Sequence, residues 1–164
     1  MLTHPIPPVY STDPNTPPRV LILGSFPSVK SRETAFFYGH PQNRFWRVLA
    51  SILEEPIPAT VAEKTTLLTT NGIALWDVIA ACDINGSSDS SITNVTPTDL
   101  TPILAAGRVR AVFTNGTAAT RLYRRYQEPI TGLPPIPLPS TSPANATCSL
   151  NQLIEAWSVL RAYL

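Results

Sequence analysis

Four short apolar runs, separated from one another by helical segments, constrain this chain more than any other feature. They are "RVLILGS" from residue 19, "IALWDVI" from 73, "RVRAVFTNG" from 108 and "PPIPLPS" from 134. The first two are predicted as strands buried on both faces, which is the habit of parallel sheets, and the last two as further short strands. Between the first two runs, Phe45, Val48, Leu49, Ile52 and Leu53 recur at helical spacing until Pro56. A second helix is expected over about 60–70, ended by Asn71 and Gly72. "DLTPILAAG" predicts a short helix stopped at Gly107, and "AATRLYRRYQE" one capped by Thr117. Leu150, Leu153, Ile154, Trp157 and Leu160 mark a last core-facing helix. The order β, α, α, β, α, β, α, β, α implies a mostly parallel sheet with helices on both faces.

At 164 residues the chain fits one domain. Residues 1–18 hold six prolines and are expected to be an extended lead-in, on the surface or partly loose, ahead of a domain at 19–164. "DINGSSDSSITNVTPTD" (83–99) has no clear period and is expected to be loop. No apolar run approaches the roughly 20 residues that span a bilayer, and the N-terminus lacks a signal-peptide pattern. Two cysteines and two histidines make neither a disulfide framework nor a metal centre, so a cytoplasmic protein without metal or cofactor is expected.

A formal charge of +1 argues against wholesale electrostatic binding of nucleic acid, but ten of the twelve cations fall in two windows, 19–47 and 108–125. Residues 48–107 between them hold seven acids and only Lys64. If the windows meet, one face is positive. Ten of the twelve cations are arginine, which suits bidentate phosphate contacts.

Three loops follow strand ends and should share one sheet edge, where ligands of such sheets bind. They are rich in Gly, Ser, Pro and Asn, whose backbone amides and short hydroxyls hold phosphates without net charge. Asn43, after the "GHPQ" turn, reads either as a helix cap or as an amide that positions a water. Phe36, Phe37, Tyr38, Phe45 and Trp46 either stack on a flat base or pack the core. Asp77, at a strand end, either reads a ligand's hydrogen-bonding edge or caps a loop. Asn115 fits a tight turn, and His40 a proton donor or a structural turn residue. A serine hydrolase built on Ser25, Asp77 and His40 is a rival reading, although the G-x-S-x-G elbow is missing. A non-catalytic binder of abasic or single-stranded DNA is another.

"LILGSFPS", "FYGHPQNRFWRVL", "GIALWDVI", "DSSI", "FTNGTAA" and "LPSTSPANA", in this order, resemble the uracil-DNA glycosylase superfamily, in particular its hypoxanthine (deoxyinosine) branch. The resemblance spans about 19–162 and is carried chiefly by "GHPQNRFW" and "LPSTSPAN". It implies a three-layer α/β/α sandwich around a short parallel four-stranded sheet. It implies a monofunctional glycosylase that flips a deaminated base, most readily hypoxanthine, out of double-stranded DNA and leaves an uncut abasic site. A uracil or mismatch enzyme of the same superfamily is the alternative, and a monomer is expected.

By position, the resemblance makes Asn43 the water-positioning residue. It places the base against Gly24, Ser25, Phe26, Phe37 and His40, with Phe45, Asp77 and Asn115 completing the pocket. Ser28, Lys30 and Arg44 would touch DNA, as would Ser140, Thr141, Ser142, Pro143 and Asn145 of the "LPSTSPAN" loop. Three segments depart from the family pattern. Ser25 and Phe26 stand where many members carry a water-positioning acid or amide, Asp77 replaces the base-reading asparagine, and Leu138 replaces a histidine.

Overall fold

The computed structural model describes residues 1–164. Strands β1 (Leu2–Thr3), β2 (Val20–Gly24), β3 (Ile73–Asp77), β4 (Ile79–Asp83), β5 (Thr93–Pro97), β6 (Ala111–Asn115) and β7 (Pro135–Leu138) form two sheets. The larger has the order β3-β2-β6-β7, with every pair parallel. Its register puts Ile22 beside both Leu75 and Phe113.

The helices are α1 (Val29–Thr34), α2 (Phe45–Leu53), α3 (Val61–Thr70), α4 (Thr101–Ala106), α5 (Thr117–Tyr126), α6 (Glu128–Thr131) and α7 (Leu150–Trp157). A central strand turns successive side chains to opposite faces, and β2 accordingly serves two cores. Val20 and Ile22 join Phe45, Leu49, Leu68 and Trp157 on one side. Leu21 and Leu23 join Ile103, Leu122 and Tyr123 on the other. The result is the expected three-layer sandwich, with α2, α3 and α7 on one face and α4 and α5 on the other.

Helix ends follow local chemistry. Thr60 and Glu63 form a capping box on α3, and Ser149 and Gln152 form one on α7. At α5 the N-cap is Gly116, with φ +97°, and Thr117 is the first helical residue rather than the expected cap. Only glycine enters so sharp a turn without strain.

Three elements differ from expectation. Residues 83–99 are not all loop: β5 pairs antiparallel with β4, and β1 pairs with β4 on its other side. The β5 sequence, TNVTP, carries no apolar alternation, so its strand state comes from pairing and not from propensity. Helix α1 lies inside the first site loop, capped by Ser28.

The third difference is the proline-rich start. It is extended, but it is woven into the domain. Val9 and Leu75 exchange both backbone hydrogen bonds along the free edge of β3. Trp76 Nε1 donates to the Ile6 carbonyl at 3.0 Å, and the Ile6 side chain is 2% exposed within the first core. Prolines remove donors while leaving the intervening residues free to pair and pack.

The basic windows meet at one place and do not form one face. Arg19 and Arg110 precede the parallel strands β2 and β6 and are joined through backbone. They lie at the edge where the strands begin, while Arg121 and Arg124 lie beyond the edge where the strands end.

Because Ile6 is packed as a core residue, Ile6→Ala should destabilise the protein by about 2–4 kcal/mol, read from urea denaturation of the full chain. A loss under about 1 kcal/mol would show that the N-terminal segment lies outside the cooperative unit.

Candidate active site

The chain leaves β2 toward β3 on one side and β6 toward β7 on the other, so the sheet opens a crevice where the ends of β2 and β6 adjoin. A partly open pocket of about 130 Å³ sits there. Gly24, Ser25, Phe26 and Ser28 line it from the first loop. Phe37, Tyr38 and Asn43 face it from the turn before α2, Asp77 and Asn115 from the ends of β3 and β6, and Ser140, Thr141 and Ser142 from the last loop.

Gly24 is required by proximity. A Cβ there would stand 2.5 Å from Asp77 Oδ1 and 3.1 Å from the Tyr38 hydroxyl, so both polar atoms lie against bare backbone. Tyr38 itself adopts φ +54°, a left-handed conformation that costs a non-glycine residue about 1–3 kcal/mol and collects at functional sites. Its ring stacks on Phe45, with centroids 4.2 Å apart. Its hydroxyl is buried without a hydrogen-bond partner. Burial first, and the Asp77 charge second, push its ionisation far above the ordinary phenol range, opposed by the Asn115 amide, so the hydroxyl keeps a proton to donate.

Asn43 precedes α2 by two residues. Its Oδ1 accepts from the Phe45 N–H at 2.9 Å, and its own N–H donates to the His40 carbonyl. The side chain therefore holds the helix entry as a cap would, and it also faces the pocket. Its Nδ2 has no partner in the protein, and Oδ1 retains a second lone pair.

Several expected site residues stand elsewhere. Phe45 is 1% exposed in the core and reaches the pocket only by supporting Tyr38. His40 is absent from the lining, and its Nδ1 accepts from the Gln42 N–H. Lys30 lies on the surface 3.9 Å from Glu33. Arg44 is turned inward, donating to the backbone carbonyls of Cys148, Ser142 and Asn145. It fastens the last loop to α2 and is not free for phosphate. Asn115 and Thr141 face the pocket but pair with each other twice, amide to hydroxyl at 3.0 Å and backbone N–H to amide oxygen at 3.1 Å. Asn145 staples its own loop through Ser140 and Thr147, and Pro143 is exposed at the loop tip.

Two carboxylate arrangements were not anticipated. Asp89, in the "DSSI" stretch, sits at the rim and accepts from Ser25 Oγ at 2.7 Å. Crowding by protein raises its carboxyl above the ordinary 3.8, opposed by the Ser25 hydrogen bond and reinforced by Asp77. Asp77 in turn accepts from His4 Nε2 at 2.7 Å, with the two side chains 5% and 3% exposed. The Ile6 N–H donates to His4 Nδ1, so that nitrogen carries no proton. The pair is a neutral imidazole donating to a carboxylate. Nothing near "LTHPIPP" in the chain signals this partner, since it lies 73 positions away. Ser25 thus has Asp89 as its partner, and neither histidine is available to it as a base.

The sequence pattern of the uracil DNA glycosylase superfamily matches residues 12–161, and the chain belongs to that superfamily. It is 34% identical over 154 residues, 91% of this chain and 93% of the relative, to a hypoxanthine DNA glycosylase of Methanosarcina acetivorans. It is 41% identical over 87 residues, 52% of each chain, to a hypoxanthine DNA glycosylase of Methanosarcina barkeri. The solution NMR structure of an M. acetivorans protein described as a candidate uracil DNA glycosylase superposes with TM-score 0.81 at 31% identity, covering 99% of both chains. No helix of the structure is long and apolar enough to cross a membrane.

Arg44→Ala should cost about 2–3 kcal/mol, because three carbonyls lose a charged donor. Arg44→Lys should recover little, because an ammonium cannot reproduce the fork. Chemical denaturation, with proteolysis at 142–147 as a local readout, checks both. A raised carboxyl in the folded state makes stability fall as pH climbs above 3.8. Asp89→Asn should therefore gain melting temperature relative to wild type as pH rises from about 3 to 7. A difference that is flat across that range would show that Asp89 carries no burial penalty.

Proposed function

We propose that this protein hydrolyses the N-glycosidic bond of a deaminated base in double-stranded DNA, with hypoxanthine in deoxyinosine as the substrate. The observation that carries the reading is the crevice at the β2 and β6 ends, floored by Asp77 and Tyr38 and faced by Asn43, in a chain similar along nine-tenths of its length to a hypoxanthine DNA glycosylase. A base inside a duplex cannot enter such a pocket, so the nucleotide must flip, at a cost of a few kcal/mol that a mispaired base lowers.

Fission of the C1′–N9 bond sends its electron pair into the purine and leaves an oxocarbenium-like sugar. Asn43 orients the water whose oxygen bonds C1′, and the water's proton passes to solvent. Backbone N–H groups of the first loop, which begins at Gly24 to Phe26 in the pocket lining, stabilise the charge on the departing base, each such donor being typically worth about 3 kcal/mol. The departing base takes a proton from solvent, and the products are free hypoxanthine and an abasic site. Ser28, Ser140 and Ser142 sit at the pocket mouth, where hydroxyls and backbone amides meet the strand that delivers the base.

Single-turnover incubation with labelled duplexes holding one deoxyinosine or one deoxyuridine, followed by alkali cleavage, tests the reading. Wild type should break the inosine strand, and Asn43→Ala should slow it by about 10²-fold or more. Breakage confined to the uracil duplex would move the assignment to the uracil branch. Breakage of neither, with binding retained, would favour a DNA-binding module.

A further inference from the structure

Tyr38 Oη, Asp77 Oδ1 and the His4 contact are unexplained by the excision chemistry. The Tyr38 hydroxyl is fully buried and unpartnered, although Asn115 and Asp77 are its neighbours. Asn115 holds Thr141 with both amide atoms, and its remaining N–H, which partly offsets the burial of the hydroxyl, can give the hydroxyl no acceptor for its own proton. Asp77 has one oxygen, Oδ2, engaged by His4, while Oδ1 has no protein partner and lies with the hydroxyl against Gly24. A native protein rarely leaves a donor and an acceptor idle side by side in a lined pocket.

Resting on the excision reading above, we propose that Tyr38 Oη and Asp77 Oδ1 form a donor–acceptor pair that reads the O6 and N1–H edge of a flipped 6-oxopurine. His4 is the positioning residue that turns Oδ1 toward that edge. The hydroxyl donates to O6, and the carboxylate accepts from N1–H. Adenine presents the inverse pattern, an N1 lone pair against the carboxylate and an amino group against the donor, so the deaminated base is selected against its parent. Sites built to hydrogen-bond one pattern reject another strongly, because their own buried groups are left unpaired. The proline-rich N-terminus thereby supplies part of the specificity, since without the His4 contact at Oδ2 the Asp77 carboxylate is free to rotate.

Binding is measured with uncleavable duplexes carrying the 2′-fluoro analogue of deoxyinosine or of purine deoxyriboside, the latter lacking both O6 and N1–H. Tyr38→Phe keeps the ring on Phe45 and should weaken the inosine duplex about tenfold while leaving the purine duplex unchanged. His4→Phe should have the same selective effect. His4→Gln, whose amide can donate to Oδ2, should recover most of the affinity. Equal losses on both duplexes, or none on either, with melting temperatures held, would overturn the proposal. Absence of inosine excision by wild type would instead overturn the excision reading.

Discussion

Everything at the site depends on β2 pairing in parallel with a strand on each side. Parallel neighbours end at the same edge, and because the two connections depart in opposite directions, a gap opens that no crossover covers. The gap brings Gly24, Asp77 and Asn115 to one rim from segments up to 91 positions apart in the chain. Burial of β2 on both faces makes this arrangement rigid, since all of Val20, Leu21, Ile22 and Leu23 are sealed in the two cores. A site that must hold a base and a water in fixed relation benefits from such a foundation.

On that frame, one interaction closes the pocket from above. The Arg44 guanidinium and the Arg44 backbone N–H, which donates to the Thr141 carbonyl, lock the last loop to the residue that follows Asn43. The water-positioning amide and the strand-facing loop therefore move as a unit. An arginine beside a candidate catalytic residue in a nucleic-acid enzyme invites a phosphate contact by residue type, but its surroundings of three carbonyls give it an internal task.

The main sheet and the helices that pack on it were legible because each strand of that sheet is a short apolar run and the longer helices follow helical spacing between stop signals, cues that reside in contiguous residues. The lining from Gly24, Ser25, Phe26, Asn43 and Asp77 was legible because loops at strand ends share an edge. What escaped has a common cause. Strand β5 exists only through its partner, Phe45 and Tyr38 differ in role although both are aromatics of one turn, and His4 acquires its meaning from Asp77. These are consequences of pairings across the chain, which residue type and local spacing do not encode. The placements of Arg44, on the last loop's carbonyls, and of His40, outside the pocket lining, fall in the same class.

The backbone bridge between Val9 and Leu75 has a consequence for the protein among its neighbours. Strand β3 is an edge of the main sheet, and an uncovered edge is a template on which a foreign strand can build. Val9 occupies that template, while at the opposite edge Pro135 and Pro137 of β7 have no N–H to extend a ladder. The same dozen N-terminal residues therefore hold a pocket carboxylate at one end and shield the sheet at the other. A protease that clipped them would expose a sticky margin, turning a repair-type fold into a candidate for self-association.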